Sequence, residues 1–223
     1  MKKMTLFNIS EEDKSRAVEH LIKVSTPNSE FFFMVAMSIS MATLGLMLDS
    51  ATVVIGSMLI SPILYAFLGL ALGIVLSDLD LIYRAIKTVG HTTILGIIFS
   101  GLIAILFPTV TLNSEILSSV TPSMGFLVVA IIAGVSAAYS SMKENLNDLL
   151  PGVAISVSLI PPLAVVGIGI VAFDATIARG AFLLFLMNII GIVGGSMVVF
   201  SLTNLYLKRS LADIVAKKED GDF

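Results

Sequence analysis

The sequence predicts an all-α integral membrane protein of six transmembrane helices, arranged as two inverted halves of three. Its composition is the first reason, because 57% of its 223 residues are hydrophobic and 13% are charged. Soluble domains are about 45–50% apolar and about 25% charged. The second reason is that several apolar runs reach the roughly 18 residues that a membrane span requires. The third is a pair of similar proline-containing segments about one hundred residues apart.

Six apolar stretches follow a short amino-terminal segment, 1–30, which is charged and in which Ser10 is a typical helix start. At about 1.5 Å per residue, each stretch can cross most or all of a hydrocarbon core of about 30 Å. The transmembrane domain, 31–206, is followed by a charged cytosolic tail, 207–223. The predicted spans are 31–48, 51–77, 88–108, 124–140, 150–172 and 177–206.

The distribution of lysine and arginine predicts the orientation. With six spans and both termini in the cytoplasm, Arg179 alone of the 13 basic residues falls on the outer side. This bias follows the positive-inside rule. A four-span alternative with both proline segments re-entrant would place Arg84 and Lys87 outside, so it is disfavoured. We therefore expect a multi-pass protein of the cell membrane with both termini cytoplasmic.

The second and fifth predicted spans each contain proline near the middle. The first reads VVIGSMLISP and ends at Pro62, and the second reads GVAISVSLIPP and ends at Pro161 and Pro162. Proline removes a backbone donor and clashes with the carbonyl group four residues earlier, which predicts a kink or break in each span. Each proline motif lies about 11 residues into its span, roughly 16 Å deep and thus near the midplane.

Weak internal similarity accompanies these breaks. A shift of about 100 residues places 60–62 on 160–162, and a shift of about 95 places Arg84 on Arg179. A unit of three spans ends on the opposite side of the membrane, so its second copy is inverted. Inverted repeats put transport sites near the midplane, at discontinuous helices. The predicted halves are 31–108 and 124–206.

A broken helix frees backbone carbonyl and amide groups, which can bind a cation or an anion respectively. Hydroxyl and amide side chains near the breaks could complete such a site. Serine and threonine in membrane helices also commonly bond their own helix or a neighbouring one, and this alternative stays open. No charged residue lies near the centre of a span, which disfavours a proton relay. The candidate substrate- or ion-binding residues are Ser57, Ser61, Pro62, Thr93, Ser156, Ser158, Pro161, Pro162 and Asn188.

Two pairs of glycines spaced four residues apart predict close helix packing. They are Gly69 with Gly73, and Gly191 with Gly195. Glycines at this spacing let helix backbones approach one another. The spacing fits packing within one chain and packing between copies, so a homo-oligomer is possible.

The remaining features narrow the class of function. The chain has no cysteine and two histidines, so no zinc ligand set is apparent, and we expect no cofactor. A net charge of −3 provides no basic field for nucleic acid. We expect a transporter or permease for a small solute or ion, embedded in the lipid bilayer, rather than an enzyme. The alternatives are an oligomeric ion channel and a membrane scaffold or signalling subunit that does not transport.

Three motifs resemble a known family. They are LGLMLDS at 44–50, VVIGSMLISP at 53–62, and LIPPL at 159–163 followed by GIG at 167–169. Together they resemble the prokaryotic "uncharacterised hydrophobic domain" membrane proteins, domain of unknown function three hundred eighty-nine. The likeness covers about 28–206, although Ala51 stands where the family pattern favours proline. It implies a multi-span membrane protein and brings no substrate, cofactor or site residues.

Overall fold

The computed structural model describes residues 9–107, 113–143, 146 and 149–221, without the side chains of 213 and 217–221. Every regular element in these ranges is helical, as predicted. The helices are α1 (Glu11–Ser25), α2 (Ser29–Met47), α3 (Ala51–Ile60), α4 (Ile63–Leu76), α5 (Leu79–Leu106), α6 (Ser114–Ser118), α7 (Met124–Ser141), α8 (Leu150–Val157), α9 (Ile160–Val171), α10 (Ala175–Leu202) and α11 (Arg209–Gly221), with a short 3₁₀ helix at Leu205–Lys208.

Four helices, α2, α5, α7 and α10, are each long and apolar enough to cross a membrane. Two further pairs pass the same test together but are bent at a short break, α3 with α4 by 50° and α8 with α9 by 41°. The described chain therefore has four to six candidate spans. This confirms the prediction of a helical membrane protein with interruptions near residues 60 and 160.

The outward faces of the long helices are strongly apolar. On α5, Ile94, Ile98 and Ile105 are 61%, 60% and 63% exposed, and on α10 Ile190 is 68% exposed. Extended apolar surface of this kind is unfavourable in water and marks a contact with lipid or protein. The buried face of α5 carries mostly small residues, so the pattern is that of a bundle whose outer surface meets hydrocarbon.

The two half-helices that follow the breaks form the centre of the bundle. Ten of the 14 residues of α4 are buried, as are ten of the 12 residues of α9. Helix α4 packs against α1, α5 and α10, while α9 packs against α2, α5 and α10. These two half-helices are thus surrounded by protein, where irregular backbone at their first turns can be satisfied away from lipid, whereas only three residues of α3 and two of α8 are buried.

The two longest helices, α5 and α10, each have 28 residues and begin in the same way. Asp78 caps α5 and Asp174 caps α10, and each carboxylate accepts hydrogen bonds from two first-turn amides. The amide of Asp78 also donates to the Gly73 carbonyl at 3.0 Å, and that of Asp174 donates to Gly169 at 2.9 Å. Helix α5 therefore begins nine residues before the predicted span at 88, because Asp78 caps a helix start that carries Asp80, Arg84 and Lys87, charges that the hydropathy pattern excluded.

The amino-terminal helix α1 lies against the bundle through its apolar face, in which Val18, Leu21 and Ile22 are almost fully buried. On its polar side, the carboxylate of Glu11 accepts from Lys14 at 2.7 Å and from Lys208 at 3.0 Å. Hydrogen bonds from these two lysines lower the pKa of Glu11. Helix α1 is therefore linked to both α4 and the 3₁₀ helix.

Candidate functional site

The first break lies between α3 and α4, at Ser61 and Pro62. Ser61 is in the extended region, with φ −82° and ψ 125°, which is where a residue preceding proline is restricted. Pro62 then caps α4, and the Ser61 hydroxyl accepts a weak hydrogen bond from the Ile63 amide at 3.4 Å. The helix thus ends before Pro62 and a new one begins after it, rather than one helix bending around an internal proline.

The second break is at Ser158, between α8 and α9. Ser158 adopts the left-handed conformation, with φ 49° and ψ 58°, which costs a residue other than glycine about 1–2 kcal/mol. Pro161 and Pro162 lie in the first turn of α9, where a missing amide proton leaves nothing unsatisfied. The break therefore precedes the prolines that were predicted to cause it, and the prolines begin the second half-helix.

The side chain of Asn188 on α10 forms hydrogen bonds with the backbone of this second break. Its side chain is 1% exposed, and its Nδ2 donates to the carbonyl oxygens of Val157 at 3.0 Å and Ser158 at 3.3 Å. These are carbonyl groups at the end of α8, where helical partners run out. The structure thus brings Asn188 and Ser158 together, while Ser156 is exposed and donates to the Val153 carbonyl in its own helix.

The hydroxyls of Ser57 and Thr93 also bond within their own helices. Ser57 donates to Val54 at 2.6 Å, and Thr93 donates to Val89 at 2.8 Å. The Ser57 carbonyl accepts from Ser38 at 2.7 Å, which joins α3 to α2. For these two candidates the hydroxyl contacts are therefore structural ones within a helix, rather than contacts that leave the hydroxyl available to a ligand.

Sequence reasoning missed Thr92, the neighbour of Thr93. Thr92 is fully buried, and its hydroxyl has no hydrogen-bond partner among the described residues. A buried hydroxyl without a partner is unusual, since most buried polar side chains are paired. The sequence signal that could have identified Thr92 is the spacing of Asp78 and Asp174, which are 96 residues apart. The same shift of 96 residues places Thr92 on Asn188.

A cavity of about 410 Å³ reaches the first break. Its lining comes from Pro62 and Tyr65 at the first break, from the end of α1 and from the start of α2. The lining carries charges of both signs, Lys23 and Glu30, so it has no strong preference for anions or cations. The lining residues are Lys23, Val24, Thr26, Asn28, Glu30, Phe31, Met34, Pro62 and Tyr65.

The four predicted packing glycines contact neighbouring helices of the same chain. A Cβ atom on Gly195 would lie 2.3 Å from the carbonyl oxygen of Ile131 on α7, and Gly191 is similarly close to that helix. Gly69 faces α1, and Gly73 faces the start of α5. At these four positions the absence of a side chain lets helices of one bundle approach.

These features define a helical membrane protein with two interrupted helices at its centre, one interruption bonded by a buried amide and the other reached by a cavity. The chain belongs to the family described as Domain of unknown function (DUF389), whose model matches residues 58–194. That range contains both breaks, and it also contains Thr92 and Asn188. The family resemblance of the sequence motifs is therefore confirmed.

One relative is "Uncharacterized protein MJ0678" of Methanocaldococcus jannaschii, which is 31% identical over 207 residues. The match covers 89% of this chain and 64% of that protein, so the chain spans less than two thirds of its relative's length. No solved structure matches the chain.

Proposed function

We propose that this protein is an integral membrane transporter or permease for a small solute or ion. Its six spans form a three-plus-three inverted repeat, and its binding site lies between the two broken helices near mid-membrane. The observation that carries the proposal is the unequal state of the two breaks. The carbonyl groups of the second break are paired by Asn188, and the first break is reached by the cavity at Pro62.

Counting each bent pair as one span gives six spans with both termini on the same side. The bias of basic residues favours the cytoplasm for that side. In this orientation the cavity at Pro62 would lie on the cytoplasmic side, because the end of α1 and the start of α2 line it. The protein would then be a multi-pass protein of the cell membrane.

The burial patterns of α5 and α10 support the inverted repeat. Seven buried positions of α5 recur on α10 after a shift of 96 residues, the shift that also relates the two capping aspartates. Equivalent helices in two halves that pack alike are expected of a repeat. The seven pairs are Leu81 with Ile177, Ala85 with Ala181, Thr88 with Leu184, Thr92 with Asn188, Gly96 with Ile192, Ser100 with Ser196, and Ala104 with Phe200.

In this repeat Thr92 and Asn188 are equivalent residues with different bonding. Asn188 donates to two carbonyl groups of its break, whereas the Thr92 hydroxyl has no partner among the described residues. Alternating access requires the two halves to take different conformations around one site. We infer that the described conformation is open on the cytoplasmic side. In the opposite conformation the first break would be closed by hydrogen bonds and the second would be open to the other side of the membrane.

The absence of native cysteine allows this opening to be tested by single-cysteine labelling. A Tyr65→Cys variant, whose side chain lines the cavity, should react with a membrane-impermeant thiol reagent in inside-out vesicles, and should react much more slowly in right-side-out vesicles. Ala66→Cys on the same half-helix is the matched control, because Ala66 is fully buried. Equal labelling of Tyr65→Cys from both sides, or labelling from the outer side alone, would contradict the proposed opening.

Transport itself is tested with purified protein and proteoliposomes. A ligand that binds the folded state raises its stability, by about 2.7 kcal/mol at one hundred times Kd. A thermal-shift screen of ions and metabolites should therefore yield a ligand that is also taken up by proteoliposomes. Its thermal shift should be lost in Thr92→Val and Asn188→Leu, and kept in the control Thr93→Val.

Three outcomes would refute this site or this function. Unchanged shifts in both Thr92→Val and Asn188→Leu would exclude the breaks as the binding site. A ligand that stabilises the protein without uptake would favour a scaffold or signalling subunit, and a non-saturating current would favour an ion channel.

A further inference from the structure

A second cavity, of about 390 Å³, lies beside the first half of α5 and carries a concentration of basic side chains. Arg84, Lys87 and His91 line it, and these residues share one helical face because they are spaced by three or four positions. Thr26 and Phe32 contribute the opposite side. None of the described residues that line the cavity is acidic, so its charge favours an anion.

An apolar cavity of about 390 Å³ continues from the basic one along α5. The two share Phe32 and His91, and the apolar part extends past Ile94 and Ile98 toward the middle of the helix. From Arg84 to Ile98 the helix rises about 21 Å at its ordinary pitch. The result is one groove on the outer surface of the bundle, basic at one end and apolar along the rest.

We propose that this groove binds an anionic phospholipid. The phosphate group lies between Arg84 and Lys87, and an acyl chain lies along Phe32, Ile94 and Ile98. Arginine and lysine are the usual partners of phosphate, and basic pockets at the cytoplasmic ends of membrane helices recognise anionic headgroups. A soluble phosphate would make no contact with the apolar part of the groove, whereas the acyl chain of a lipid would fill it. The groove therefore favours a lipid.

The groove is also close to the carboxy-terminal helix. The guanidinium group of Arg84 donates to the Ala216 carbonyl on α11 at 3.3 Å, and Lys87 and His91 are exposed. The His91 ring contacts Lys87 through a 2.8 Å hydrogen bond from Nδ1 to the Lys87 carbonyl. A bound lipid would therefore contact the α1–α2 connection and α5, next to the point where α11 docks.

The proposal is tested with delipidated protein in detergent, titrated with phosphatidylglycerol or with phosphatidylcholine. Phosphatidylglycerol should raise the unfolding temperature in a saturable way, and native mass spectrometry should detect a retained lipid. Lys87→Gln should weaken this binding about fivefold, since a lysine or arginine beside anionic lipid contributes about 1 kcal/mol. Arg179→Gln is the matched control, because it removes one positive charge away from the groove.

Three results would overturn the proposal. Equal stabilisation by the two lipids would remove the role of charge. Equal weakening in Lys87→Gln and Arg179→Gln would reduce it to the net charge of the protein. Stabilisation by inorganic phosphate or glycerol phosphate as strong as that by phosphatidylglycerol would identify a soluble anion, rather than a lipid, as the ligand. Because Lys87 is exposed, Lys87→Gln should fold, and its unliganded unfolding temperature verifies this.

Discussion

Replacement of Gly195 by alanine should separate α10 from α7. The added Cβ would lie 2.3 Å from the carbonyl oxygen of Ile131 and 3.1 Å from the amide nitrogen of Val135. Both are backbone atoms of a helix, so relief requires the helices to move apart. Gly194 is the matched control on the same helix, because a Cβ there would meet nothing within 4 Å.

The magnitude follows from comparing the two variants. Alanine is favoured over glycine in a helix by about 1 kcal/mol, and this gain is common to Gly195→Ala and Gly194→Ala. Overpacking typically costs about 1–3 kcal/mol, and only Gly195→Ala incurs that cost. At about 2–4 °C per kcal/mol for a chain of this size, Gly195→Ala should unfold roughly 2–12 °C below Gly194→Ala.

Thermal unfolding in detergent, followed by circular dichroism, measures this difference, and size-exclusion chromatography measures the oligomeric state. The packing described here predicts a loss of stability in Gly195→Ala with no change in oligomeric state. An unfolding temperature of Gly195→Ala equal to or above that of Gly194→Ala would refute the close approach of α7 and α10. A change of oligomeric state alone would place the glycine at a contact between copies.

Three further predictions concern the second break and the amino-terminal helix. Asn188→Leu should lower the free energy of unfolding by about 1–3 kcal/mol, because it leaves buried carbonyl groups unpaired; a loss as small as that of Thr93→Val in chemical denaturation would contradict this. Ser158→Gly should raise stability by about 1 kcal/mol, since glycine adopts the left-handed conformation without strain, and an unchanged or lower unfolding temperature would argue against that conformation. Lys14 and Lys208 lower the pKa of Glu11 below its ordinary 4.5, so the Glu11–Lys208 ion pair, which joins α1 to the 3₁₀ helix, stabilises the docking of α1 above pH 4.5 and is lost as the pH falls through the lowered value. Cleavage of α1 by an acid protease, divided by its cleavage of an unfolded substrate at the same pH, should therefore rise at low pH in the native protein, and Glu11→Gln should abolish this rise.

The sequence predicted the positions of the two helix interruptions more accurately than their physical cause. Glycine, serine and proline near residues 60 and 160 marked both interruptions, and Pro62 restricts Ser61 as local sterics require. At the second break the interruption precedes Pro161 by three residues, at Ser158. No local rule predicts a left-handed serine there, because the carbonyl groups that it frees are paired by Asn188, 30 residues away along the chain.

A shift of 95 residues aligns Thr93 with Asn188, whereas the shift of 96 aligns Thr92 with it, so matches within apolar segments do not fix the alignment to one residue. A register error of one residue rotates a side chain by about 100° around the helix axis, which exchanges a half-buried residue for a fully buried one. The two capping aspartates, Asp78 and Asp174, carry the register that the apolar matches could not, because a cap occurs at one defined position at the start of a helix.

The sequence by itself determined the helical membrane class, the family and the approximate bounds of the apolar helices. These properties depend on composition, periodicity and local motifs, which act over a few turns of helix. Only the tertiary structure decided that Asn188 pairs with the second break, that Thr92 is buried and that α5 carries a groove with a basic and an apolar end. Those features depend on which faces of distant helices meet, and burial of a group is a property of all its neighbours together.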